Sequence, residues 1–180
     1  MTTVLTFGHG TATQDELVAL LRGAGVELVV DVRRFPGSRR HPHVATTEMG
    51  EWLPASGIGY RWDAGLGGRR RLPPDAEDAD PWWRVEAFRA YAAYTRTPDF
   101  GAGLRSLLAD VDRDPDGGVA IMCSESLWWR CHRRIVSDVL VLLHDVEVQH
   151  LGHDGRTTPH EPAAGARVVA DQLRWDGAAG

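Results

Sequence analysis

Short apolar runs alternate with amphipathic stretches along this chain. Val4-Leu-Thr-Phe-Gly8 reads as a strand, and Thr13 caps a helix whose buried face is Leu17, Val18, Leu20 and Leu21, stopped by Gly23 and Gly25. Glu27-Leu-Val-Val-Asp-Val-Arg33 is a second strand, apolar enough to be covered on both faces. Phe35 to Val44 reads as a loop, Thr47 to Ser56 as a helix, and Gly59-Tyr-Arg-Trp62 as a strand. The glycines, prolines and arginines between Asp63 and Asp80 predict a long loop. Helices follow over Val85 to Arg96 and Phe100 to Val111, then a turn over Asp114 to Gly118. Val119 to Met122 has the β-branched content of a buried strand, and Arg130 to Leu143 carries apolar residues at helical period. Val146 to Leu151 gives a last strand, Gly152 to Gly165 a loop, and Ala166 to Arg174 a short terminal helix.

Strands separated by helices predict an α/β fold, a three-layer sandwich with a mostly parallel central sheet and helices on both faces. The 180 residues fit a single domain. Ligands in such folds gather at the carboxyl ends of strands. His9, Arg33, Arg34 and Cys123 to Glu125 are expected there, with His150 and His153 near the end of the last strand.

The balance of 43% hydrophobic and 25% charged residues is that of a water-soluble globular protein, and no apolar run is long enough for a membrane span. The N-terminus lacks the order of a signal peptide, so a cytoplasmic location is expected. Every basic residue other than histidine is arginine, so guanidinium groups and backbone N–H must meet any anion. The net charge of −5 argues against indiscriminate coating of nucleic acid but leaves room for a local basic cleft.

The chemistry concentrates in Val119-Ala-Ile-Met-Cys-Ser-Glu-Ser-Leu-Trp-Trp-Arg-Cys-His-Arg133. A thiol at a strand-to-helix turn meets unpaired N–H groups and the positive end of a helix dipole, which lower its pKa. Cys123 is therefore a candidate nucleophile beside Arg130 and Arg133, and Cys131 a packed or resolving thiol. The layout resembles the cysteine loops of rhodaneses and protein tyrosine phosphatases. Arg130 follows Cys123 one residue later than in the phosphatase pattern, the loop has no glycine, and Glu125 would repel a dianionic phosphate, so phosphatase activity is not expected.

Gly8-His9, Val30-Asp-Val-Arg33 with Pro36 and Ser38, and Leu66-Gly-Gly68 form one part of a wider signature. Tyr91-Ala92 with Tyr94, Thr97 and Phe100, and Cys123-x-Glu125 with Cys131-His-Arg133, complete it. Over about residues 4–151 this resembles the bacterial family known as domain of unknown function 488, leaving residues 152–180 as a C-terminal extension. The resemblance implies a compact α/β fold with a Cys, Glu, Cys-His-Arg signature and no assigned reaction. Where many members read Gly-His-Ser, this chain reads Gly8-His9-Gly10, and Trp128-Trp129 stands where a proline is common.

Several roles stay open. Cys123, Glu125 and His9 are candidate catalytic groups, Glu125 and Asp31 as acids or bases and Asp31 alternatively as an anchor for Arg33 or His9. Arg33, Arg130 and Arg133 are candidate anion-binding groups, and Tyr91, with the other aromatics, could stack a planar ligand. A zinc or iron site could draw on Cys123, Cys131, His132, His41 and His43, although the seven residues between the cysteines are not the spacing of a zinc knuckle. The expected function is an enzyme acting on a small or nucleotide-like anionic substrate. A nucleic-acid-associated binding or repair module using Arg69 to Arg71, a metal-dependent protein and a thiol redox protein are the alternatives.

Overall fold

A computed structural model describes residues 2–114 and 118–177. The centre of the expected Asp114 to Gly118 turn lies outside them. Eight strands occur among the described residues, with β1 at Thr3–Gly8, β2 at Leu28–Asp31, β3 at Gly59–Trp62, β4 at Val119–Cys123, β5 at Glu147–Leu151, β6 at Thr157–Pro159, β7 at Ala166–Val169 and β8 at Gln172–Trp175. The helices are α1 at Gln14–Gly23, α2 at Thr46–Ala55, α3 at Glu86–Tyr94, α4 at Pro98–Arg113 and α5 at Arg133–His144. The main sheet runs β3-β2-β4-β1-β5-β6, parallel except for β6. This is the mostly parallel α/β sandwich that the alternation of elements predicts.

Side chains on a strand alternate between faces, and that parity divides the core in two. Val4 on β1, Val30 on β2 and Val119, Ile121 and Cys123 on β4 pack against α3, α4 and α5. Leu5, Phe7, Val29, Ala120 and Met122 pack on the opposite face against α1 and α2. Thr13 and Glu16 close the capping box of α1, each side chain bonding the other's backbone N–H. The helix expected from Arg130 instead starts at Arg133, because Trp128–Arg130 forms a separate 3-10 turn and leaves Cys131 ahead of the helix.

The C-terminal segment departs most from expectation. Ala166 to Arg174 is not a helix but part of the β7–β8 hairpin, whose turn residues Ala170 and Asp171 have φ of 48° and 62°. Two consecutive residues at positive φ match the twist of a two-residue hairpin loop. Nor is the segment an appendage, because Leu173 and Trp175 are buried in the same cluster as Cys123 and the apolar face of α5. Trp175 donates its indole N–H to Asp138 at 2.7 Å, and its backbone N–H reaches Asp80.

Trp175→Ala is therefore expected to destabilise the whole fold by about 3–5 kcal/mol, as for a large core aromatic. Thermal denaturation should show one lowered transition. An unchanged melting temperature would mean that the hairpin is dispensable to the core.

Candidate functional site

Cys123 is the last residue of β4, and its parity turns the thiol toward α5. Its Sγ lies 3.1 Å from the Sγ of Cys131, across the loop. Arg133, the first residue of α5, is 1% exposed and reaches under both thiols. Its Nε lies 3.0 Å from Cys123 Sγ and 3.2 Å from Cys131 Sγ, Nη1 donates to Thr6 Oγ1 at 3.2 Å, and Nη2 donates to the carbonyl of Glu125. No carboxylate pairs with Arg133 among the described residues. A buried guanidinium without an anion is expensive, so the site favours a thiolate beside it.

The two thiols are pushed in opposite directions. Burial opposes charge on Cys131, but the hydrogen bond from Cys123, Arg133 and the backbone N–H of Arg133 at 3.4 Å together hold this thiol well below its ordinary pKa. Burial and the adjacent Cys131 sulfur push the Cys123 thiol well above it. The backbone N–H at the start of α5 bonds Cys131, so that sulfur takes the benefit of the helix N-terminus that the sequence assigns to Cys123.

A polar chain continues from Arg133 into the core. Thr6 Oγ1 donates to His150 Nδ1 at 2.7 Å, His150 Nε2 to His160 Nδ1 at 2.9 Å, and His160 Nε2 to Asp138 at 2.7 Å, with the tautomers that one direction of donation requires. Trp128 lies flat on His150, ring centroids 4.1 Å apart. Burial and the neighbouring His160 lower the His150 pKa to about 3, so its ring is neutral, as the chain needs.

Above the thiols lies a pocket of about 270 Å³ lined by Arg34, Arg69, Arg130, Tyr91, Cys123 and Cys131, among others. It joins a wider cleft of about 1060 Å³ through Arg34, Phe35 and Arg69. Glu125 lines the small pocket, with its carboxylate accepting from the backbone N–H of Leu127 at 3.3 Å. No ion pair to either Arg130 or Arg133 holds that carboxylate among the described residues.

The family scan matches Domain of unknown function DUF488 over residues 13–140, most of the chain. The chain belongs to that family. No curated protein and no solved structure matches it. Close packing explains several of the DUF488 signature residues here. A Cβ on Gly8 would fall 1.8 Å from the Glu125 carbonyl, and one on Gly67 would fall 2.6 Å from the Arg34 backbone. Tyr91 lines the pocket but is 1% exposed, with its hydroxyl on the Leu66 carbonyl at 2.6 Å and its ring 5.0 Å from that of His132. Gly10, standing where many members carry serine, has φ of +50°, and a Cβ there would meet Ser126 Oγ at 2.2 Å.

The remaining candidates form a second cluster on the other face. Asp31 pairs with Met122, not with Cys123, in the sheet register, so it points away from the thiols. Its carboxylate receives Arg33 Nε at 2.8 Å, Arg33 Nη2 at 2.6 Å and Tyr60 Oη at 2.7 Å, while Arg33 also donates to the Val44 carbonyl. His9 holds the Gly10 carbonyl through Nδ1 and faces Arg33 through Nε2. Burial, with the Arg33 charge adding to it, lowers its pKa to about 4 despite the Gly10 bond. Arg33 also lines the small pocket, but the expected fork with Arg133 does not form, since its guanidinium is committed to Asp31 and the Val44 carbonyl.

Of the five candidate metal ligands, Cys123 and Cys131 meet, but the three histidines do not join them. His132 Nε2 donates to the Val32 carbonyl at 2.8 Å, His43 Nε2 to the Ala12 carbonyl at 2.8 Å, and His41 lies against His43. Among the described residues, no three His, Cys, Asp or Glu side chains cluster as a metal site. The residues that sequence reasoning passed over are Thr6, Asp138 and His160. Two leave a trace: Thr6 interrupts an apolar strand, and Asp138 interrupts the apolar face of α5.

His9 and His150 resist a proton that the unfolded chain accepts near its ordinary value of 6.5. Their contribution to stability is complete above about pH 6.5 and is lost progressively as the pH falls toward about 4 for His9 and about 3 for His150. Urea denaturation across that range should show stability falling with pH, with a shallower slope in His150→Gln. An equal slope in that variant would show that His150 is not held neutral.

Proposed function

We propose that this protein is an enzyme acting on a small or nucleotide-like anionic substrate through a cysteine thiolate, and that the nucleophile is Cys131. The observation that carries this reading is the single buried guanidinium of Arg133 spanning both sulfurs without a carboxylate of its own. It stabilises a thiolate before substrate arrives, which is how a cysteine becomes reactive near neutral pH. Both cysteines line the small pocket, with Cys131 half-buried and Cys123 only 2% exposed. Arg34, Arg69 and Arg130 line that pocket and would attract an anion, with Glu125 placed to move a proton at the substrate. No helix among the described residues is long and apolar enough to cross a membrane. Thiolate chemistry of this kind suits a reducing compartment, and we place the protein in the cytoplasm.

The wide cleft supports a second reading, a nucleic-acid-associated module. Arg69, Arg70 and Arg71 line it beside Phe35, which is 63% exposed and could stack a base. The net charge of −5 favours a small ligand over a polyanion. Oligonucleotide binding with a steep salt dependence, lost on replacing Arg69 to Arg71, would favour the module instead.

Alkylation tests the enzyme reading directly. At about pH 6, where an ordinary thiol is almost entirely protonated, iodoacetamide should label Cys131 first by peptide mapping. Iodoacetate, being anionic, should gain on iodoacetamide relative to their ratio for free cysteine, and Arg130→Ala should remove part of that gain. Labelling of Cys123 first, or a free-thiol pH profile at Cys131, would overturn the assignment.

A further inference from the structure

We propose that Cys131 and Cys123 form an exchange pair for low-molecular-weight disulfides that carry carboxylates, the site cycling between two thiols and an internal disulfide. This rests on the reading of Cys131 as nucleophile and adds a role for Cys123 and a class of substrate.

Three observations lead here. The sulfurs are 3.1 Å apart, so a bond of about 2.05 Å needs an approach of only about 1 Å. Cys123 is sealed beneath the loop at 2% exposure, with the Glu125 carbonyl, Arg133 and Cys131 as its partners. Lying 3.1 Å from Cys131 Sγ, it is placed to attack whatever is already attached to Cys131. Finally, the pocket over Cys131 brings Arg34, Arg69 and Arg130 to one small space, with Glu125 as the single acidic lining residue. Guanidinium groups so placed select carboxylate substituents on either side of a disulfide bond.

The chemistry balances without a cofactor. The Cys131 thiolate attacks one sulfur of R–S–S–R, forming a mixed disulfide as the substrate's S–S bond breaks and RS⁻ leaves. Cys123 then attacks Cys131 Sγ. The Cys123–Cys131 bond forms, the mixed disulfide breaks, and the second group departs with the proton of Cys123 as RSH. Two protein sulfurs are oxidised, and one small disulfide is reduced to RSH and RS⁻. Oxidation also removes the anion beside Arg133, leaving a buried guanidinium without its counter-charge. The internal disulfide is thereby disfavoured and readily reopened by excess RSH, so the pair turns over in either direction.

The test uses oxidised glutathione, which carries carboxylates, and bis(2-hydroxyethyl) disulfide, which carries none. Intact mass and peptide mapping of the reduced wild-type protein should show a Cys123–Cys131 disulfide and no lasting adduct. Cys123→Ser should accumulate the glutathione adduct on Cys131. Oxidised glutathione should react about tenfold faster than the neutral disulfide, the worth of one charge-assisted contact, and Arg130→Ala should narrow that ratio. A stable adduct on wild-type Cys131 with Cys123 still free would overturn the pairing, and equal rates for the two disulfides would overturn the substrate class. If Cys131 accepts iodoacetamide yet no internal disulfide forms, this proposal fails while the nucleophile reading stands. If Cys131 resists both reagents, both fall.

Discussion

The rest of the site depends on one buried charge. Arg133 has lost its water at the start of α5, and a guanidinium in that position must be compensated by hydrogen-bond acceptors and by an anion. The acceptors are Thr6 and the Glu125 carbonyl, with the sulfurs of Cys123 and Cys131 beside them. Each partner comes from a different part of the chain. Thr6 lies on β1, Cys123 ends β4, and Cys131 ends the 3-10 turn, so the guanidinium fixes the loop, the central strands and the helix to one another. Removing either sulfur would change the charge balance of the core as well as the chemistry above it.

The same charge is answered from a distance. Each donor in the series from Arg133 through Thr6, His150 and His160 faces the same way, and the series ends on the Asp138 carboxylate. A buried network of this kind is stabilising only when every member is satisfied. Asp138 is, because His160, the Ala163 N–H and the Trp175 indole all donate to it. The C-terminal hairpin thus supports the site through Trp175, although residues 141–177 lie beyond the part of the chain that matches the DUF488 family.

Much of the fold was legible from the chain because its signals are local. Apolar runs over Val4 to Phe7 and Val119 to Met122, and helical periodicity around Ile135 to Leu140, specify buried strands and a packed helix with little help from elsewhere. The hairpin at β7–β8 was not, since Val168 and Val169 gain strand geometry only by pairing with β8, and Ala170 and Asp171 tolerate positive φ only because that pairing holds them. The start of α5 was misplaced for a similar reason. Arg130 has good helix propensity, but the turn at Trp128 positions that ring over His150 and delays the helix until Arg133.

By itself the sequence determined the class of fold and the family, and it marked the segment that carries Cys123, Cys131 and Arg133. These follow from periodicity and from residue types at fixed spacing, which a linear chain records directly. Only the tertiary structure decided which groups meet. Strand parity and register send Asp31, Arg33 and His9 to one face of the sheet and Cys123 with Arg133 to the other, dividing what reads as one cluster along the chain. It also decided which sulfur the helix N-terminus bonds. The helix N-terminus, the burial of Cys123 and the reach of Arg133 exist only once β4, the loop and α5 are packed together.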